Sequence, residues 1–122
     1  MKEEVIMKLK ALPEAISKVQ LRVIEASKAK SAIEYEMKIR EAKLYNGIVA
    51  QINAETGKPV YTNDTARKSA LQAAMGNDAE YKKLQTQAEE AHFEWKKAEI
   101  DAEKLQRDHQ SYKAIARLMS SE

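Results

Sequence analysis

Glu89 and His92 stand three residues apart in "QAEEAHFEWKKAE", a spacing that sets a carboxylate and an imidazole on one face of a helix. Di-iron bundles use that pair, but they need two copies of it and two further carboxylates. The other histidine, His109, has Gln106 where the partner acid would stand. No metal set and no cofactor are therefore expected, and His92 reads as a solvated side chain. Gly57-Lys58 invites comparison with a phosphate-binding GxxxxGK loop, yet the upstream glycine is missing and Pro59 follows where a Ser or Thr would hold magnesium. The chain has no cysteine, no Ser-His-Asp spacing and no acidic pair suited to a concave site, so it is not expected to be an enzyme.

Binding chemistry has two candidate locations. Phe93 and Trp95 could stack on bases, with Lys82, Lys83, Lys96, Lys97, Lys104 and Arg107 supplying charge along the same arm. Glu89, Glu90, Glu94, Glu99, Asp101 and Glu103 neutralise that charge almost step for step, which favours a core Trp95 beside a solvated face of helical ion pairs. The second location is the bend "NAETGKPVYTNDTARKSAL", from Asn53 to Leu71. There Lys58, Tyr61, Asn63, Arg67 and Lys68 form the candidate binding set, and a helix starting near Asp64 adds a pull on anions that Asp64 itself opposes.

These residues must be positioned by helices. A third of the sequence is charged (33%), 43% is hydrophobic, and it holds only three glycines and two prolines. That is too apolar for a disordered chain and has the composition of long helices. One all-α domain is expected, with arm one over about 13–54, a bend with a short helix over about 55–78, and arm two over about 79–120. Pro13 suits a first helical turn, because its missing N–H would be unsatisfied there anyway, and a short lead-in helix is the reading for the residues before it. Apolar or small residues at Ile16, Val19, Val23, Ala26, Ile33, Met37 and Leu44 keep to one seam, with Lys30 and Arg40 at the missing steps. Arm two carries an unbroken four-three series, Leu84, Ala88, Ala91, Trp95, Ala98, Ala102, Leu105, His109, Tyr112, Ala116 and Met119. His109 on that seam is a polar residue of the kind that fixes register or oligomer state.

The matched spacings predict a long antiparallel coiled-coil hairpin, each arm about 60 Å at 1.5 Å per residue. One register sets Ile16 by Ala116, Val23 by His109, Met37 by Trp95 and Leu44 by Ala88. Lys30 then faces Ala102 and Arg40 faces Ala91, where small residues leave room for long stems. A shift of one heptad also matches apolar to apolar. Within the bend, Thr56-Gly57-Lys58-Pro59 reads as the stop of arm one, Gly57 taking positive φ. Thr62, Asn63 or Asp64 caps the short helix, Gly76 ends it, and Asn77 or Asp78 caps arm two.

A second stripe is left over. Leu21, Ile24, Tyr35, Ile39, Ala42 and Val49 share another face of arm one, and Phe93, Ile100, Ala114 and Leu118 another face of arm two. Two helices have one mutual seam, so these faces imply a further partner. Assembly into a helical-bundle homo-oligomer is expected, with Ile24, Tyr35, Ile39, Phe93, Ile100 and Leu118 as candidate interface residues. The alternative cover is the short segment 63–75 together with the N-terminal residues, folding back over the stripe. No apolar run approaches the roughly 20 residues of a membrane span, the Met1-Lys2-Glu3-Glu4 start lacks a signal peptide's apolar block, and a net charge of +2 gives no global field of one sign. No membrane partner and a cytoplasmic location are expected.

Asn53, Gly57, Lys58, Tyr61, Thr62, Asn63, Asp64 and Arg67, followed by the charged second arm, form a pattern. It resembles small coiled-coil proteins of unknown function encoded by bacteriophages and prophages, often near recombination genes. The resemblance covers roughly the last seventy residues and carries no catalytic role. It implies a bacterial host cytoplasm and a non-enzymatic adaptor or accessory protein acting by protein–protein interaction. The alternatives are a nucleic-acid accessory protein of a phage recombination module and an inhibitor of a host defence system.

Overall fold

The computed structural model describes residues 1–121 and is all-helical, with α1 (Lys2–Val49), α2 (Asp64–Asn77) and α3 (Ala79–Ser120). The two long helices pack together, as a hairpin requires. α1 begins eleven residues before the expected start, because Pro13 lies inside the helix and does not open it. Proline there removes one backbone hydrogen bond and strains the preceding turn. Val5 and Leu12, both ahead of the proline, are buried. α1 also stops earlier than expected, at Val49 rather than near residue 54.

Two compact units make up the chain, and the long helices contribute to both. In the first, Met1–Lys30 packs with α3 from Ala91 onward. Its interior is thin: Val5, Leu12, Ala98 and Ala102 are buried, and Ala98 is 1% exposed. Arg22 Nη2 lies 3.3 Å from Asp101 Oδ2, and Lys30 Nζ sits 4.9 Å from the centre of the Trp95 ring. These contacts correct the expected register. Trp95 meets Lys30, where the expected register gave it Met37, so the arms are offset by one heptad. Alanine-rich seams accept either choice sterically, and the polar pairs at the flank select one.

The second unit, Ser31–Glu90, holds the end of α1, the bend, α2 and the start of α3. Ile48 is its buried apolar anchor. Arg40 was expected opposite Ala91 with its stem reaching for water. Instead its guanidinium grips Asp78 through two hydrogen bonds, Nε to Oδ2 at 2.9 Å and Nη2 to Oδ1 at 2.7 Å. Glu80 adds a third oxygen, 3.2 Å from Nη1.

Gly57 takes positive φ (+70°), but eight residues beyond the end of α1. It serves a different structure from the expected helix stop. Residues 51–60 form a small exposed ribbon in which Ile52 and Pro59 pair antiparallel. Asn53 N–H donates to Lys58 O at 2.8 Å, and Val60 N–H to Gln51 O at 3.0 Å. Asn53 Oδ1 accepts from the Glu55 amide at 2.9 Å and so shapes the turn. Since nothing stands within 4 Å of a Cβ at Gly57, Gly57→Ala carries only the backbone cost of the left-handed region, about 1–2 kcal/mol. The expected result is faster hydrogen exchange at the Val60 amide with an unchanged helix signal in circular dichroism. Unchanged Val60 protection would refute this account of the turn.

Candidate functional site

The bend residues divide by what their polar atoms already do. Asn63 is the N-cap of α2, extended at φ −140°, with Oδ1 accepting from the Ala66 amide at 2.8 Å. Arg67 turns back within α2 to Asp64, Nη1 lying 3.6 Å from Oδ1, while its buried Nε has no hydrogen-bond partner. Lys58 lies on the ribbon and is exposed, and Tyr61 is half-buried just before the cap. Asn53, Gly57, Asn63 and Asp64 thus hold the chain's own backbone or its neighbouring arginine. Much of the pattern on which the phage resemblance stands has a local architectural use here.

Of the five candidates, Lys68 lines a groove beside α1. α2 runs beside α1, and between them Lys38, Glu41, Ala42, Tyr45, Asp64, Lys68 and Leu71 enclose about 550 Å³. Two lysines and two carboxylates share that rim, so the groove has no net sign to select an anion. Lys58, Tyr61, Asn63 and Arg67 are not part of its lining. α2 approaches α1 on the side of Glu41 and Tyr45, covering part of one flank of the second stripe near Ala42. Folding back of the short segment therefore occurs, but over a small part of the stripe.

A site that sequence reasoning missed is the Arg40–Asp78 clamp. Asp78 does two jobs: it accepts from Arg40, and its Oδ2 accepts from the Tyr81 amide at 2.8 Å, capping α3. Its carboxyl falls from an ordinary 3.8 to about 2, first through the Arg40 hydrogen bonds and then through the Tyr81 amide. The Arg40 guanidinium rises correspondingly, chiefly through its bond to Asp78. An arginine at a seam position was the available signal, since an inward cation calls for an acid within reach. The clamp ties α1 to the first turn of α3 and leaves no open position for a ligand atom, so it is structural.

Trp95 is half-buried with Lys96 Nζ 4.4 Å and Lys30 Nζ 4.9 Å from its ring centre, and the His92 ring tilts at 57° with its centroid 5.7 Å away. Ammonium groups hold the position over the indole that a base would need. Among the described residues no three His, Asp or Glu side chains gather as a metal set, and no helix is long and apolar enough to cross a membrane.

The largest uncommitted chemistry is apolar. Among the described residues, thirteen large apolar side chains are exposed, while the buried apolar residues are five, two of them alanine. Ile24, Tyr35, Ile39, Phe93, Ile100 and Leu118 are all in the exposed group. Counting heptads from the seam puts Leu21 and Tyr35 on the back of α1, and Phe93 and Ile100 on the back of α3, each opposite its own seam. In the first unit, Leu21 on α1 and Ile100 on α3 therefore stand on opposite backs, while Ile24 borders a groove shared with Ala102 and Gln106 of α3. No family model, curated protein or solved structure matches the chain.

Proposed function

We propose that the protein is a non-enzymatic adaptor or accessory protein that acts by protein–protein contact from its helix backs, in the cytoplasm of a bacterial host and in the manner of the phage-encoded coiled-coil proteins it resembles. The observation that carries this reading is the exposure of Phe93 (65%), Ile100 (61%) and Leu118 (68%) on α3. Phe93 and Ile100 are one heptad apart on one helix face, which is how a groove or a second helix reads an amphipathic helix. Aromatic and aliphatic anchors of this size supply most of the affinity of such contacts.

The nucleic-acid alternative has less behind it. Lys58, Arg67 and Lys68 do not share one groove, and the indole of Trp95 is flanked by the chain's own lysines.

The test compares the chain with a Phe93→Asp/Ile100→Asp variant as baits in cells. Both positions are exposed, so the variant should keep its helicity and its thermal midpoint. Loss of one specific protein from the variant's captured set is the expected result. Equal capture by both baits would end this assignment of the α3 back, and DNA binding that falls steeply between ~50 and 200 mM salt would favour the alternative.

A further inference from the structure

The two sides of the first unit's seam differ in charge. On one side Arg22 of α1 reaches across to Asp101 of α3. On the other, a groove of about 430 Å³ runs between the same helices, wholly within that unit. Val23, Ile24 and Ala102 give it an apolar surface, Gln20 and Gln106 are neutral, and Glu99 and Glu103 are the charges in its lining. Its base is deep because Ala102, 8% exposed at the seam, fills little of the space between the helices. Ile24 stands exposed on its wall.

Nothing in the groove neutralises these acids. Along that side of α1, Ser17, Gln20, Ile24 and Ser27 follow at steps of three and four and carry no charge. Glu103 enters no ion pair among the described residues, and Arg107, one turn on, lines a neighbouring polar cleft instead. Glu99 Oε1 is buried without a hydrogen-bond partner. Its nearest cation, Lys96 Nζ, stands 3.9 Å away and also sits over the Trp95 ring. The groove beside α2, with two lysines and two carboxylates, has no such sign.

We propose that the groove between α1 and α3 docks a basic amphipathic helix of another protein. An apolar side chain of that helix rests on Val23, Ile24 and Ala102, while Lys or Arg stems cross Ile24 to pair with Glu99 and Glu103. Charge decides the occupant. Carboxylates with no cation in the groove repel the phosphates of nucleic acid and of an anionic membrane, and a second copy packed on the same side brings only the same acids. From Glu99 to Gln106 the lining covers about 10 Å of α3 at 1.5 Å per residue, which matches two turns of a partner helix. Phe93 and Ile100 lie on another face of α3, so the groove is a second contact surface. It rests on the same reading of the chain as a protein-binding module.

The test titrates an amphipathic peptide of leucine, alanine and lysine, about 18 residues long, into the isotope-labelled full chain. A matched peptide carries glutamate for lysine. The lysine peptide should shift amides in 17–27 and 99–106, lose affinity several-fold between ~50 and 200 mM salt, and outbind the glutamate peptide. Glu99→Gln/Glu103→Gln and Ile24→Ser should each weaken it roughly tenfold. Both variants should keep the native ellipticity, since Ile24 and Glu103 are exposed and glutamine keeps the shape of glutamate. Equal binding of the two peptides, native affinity in either variant, or shifts centred on Phe93 and Ile100 would overturn the proposal. So would a dimer by sedimentation that Ile24→Ser dissociates, because the groove would then belong to a second copy. Phe93→Asp/Ile100→Asp should bind the lysine peptide no less tightly than the native chain. If it does so and yet captures the same proteins as the native bait, the groove stands and the α3 back assignment falls. If the peptide fails on every chain while that bait loses a protein, the reverse holds.

Discussion

Ala98→Asp is expected to unfold the first unit, whereas Ala114→Asp, sixteen residues on along the same helix, is expected to change stability by less than about 0.5 kcal/mol. Ala98 is 1% exposed at the seam, and Ala114 is exposed on the back of α3. A carboxylate at 98 would be desolvated, at an effective cost of several kcal/mol. Domains of this size hold only about 5–15 kcal/mol in total. A core with four buried residues in this unit, two of them alanine, has little to set against that. Far-UV circular dichroism at 25 °C should show a loss of helicity for Ala98→Asp and the native signal for Ala114→Asp. Similar melting curves for the two variants would mean that the seam is not where the unit is held together.

The second large effect belongs to Asp78, whose side chain is 14% exposed against 27% for Arg40. Asp78→Ala removes the α3 cap and the partner of an inward guanidinium together, and should lower the thermal midpoint by roughly 5–10 °C. Asp78→Asn separates the two losses. Asparagine still caps the Tyr81 amide but offers Arg40 no charge, so this variant should fall between alanine and the native chain. Acid should act as the native counterpart of these substitutions. A carboxyl whose folded pKa lies below its unfolded value contributes fully above the unfolded value and loses that contribution as pH falls. For Asp78 the window runs from 3.8 down to about 2. Over it, the midpoint of the native chain should decline more than that of Asp78→Ala, until the two converge near pH 2. Parallel pH profiles would show that Arg40 does not set the Asp78 carboxyl.

The helical hairpin was legible because the apolar steps of α3 continue without a break from Leu84 to Met119. Its register was not, since a one-heptad slide still sets apolar or small residues of one arm opposite apolar or small residues of the other over much of the seam. What breaks the tie is polar and long-range: Arg22 to Asp101, and Arg40 to Asp78. Local rules also misplaced Pro13 and Gly57. Proline opens helices more often than it interrupts them, yet α1 runs through Pro13, with Val5 and Leu12 buried ahead of it. Gly57 was rightly given a positive φ, but the Asn53 side chain, bonding two residues ahead, turns that stretch into a ribbon before any helix end needs it. In the candidate site, side-chain types suggested a basic cluster, while capping and turn bonds had already engaged Asn53, Asn63 and Asp64. The exposed faces of α1 and α3 were readable from spacing alone, because helix periodicity separates seam from back without any knowledge of register.

Trp95 is the single tryptophan of the chain, and Lys30 and Lys96 hold their ammonium groups over its ring. Indole emission responds to nearby charge and to water, so this residue is an optical probe placed by nature inside one unit only. Fluorescence excited at the indole therefore follows the opening of Met1–Lys30 against the later part of α3, whereas ellipticity follows every helix at once. Superimposed denaturation curves from the two signals would mean that the chain melts as one cooperative body, and a gap between them would measure how independently its two ends live.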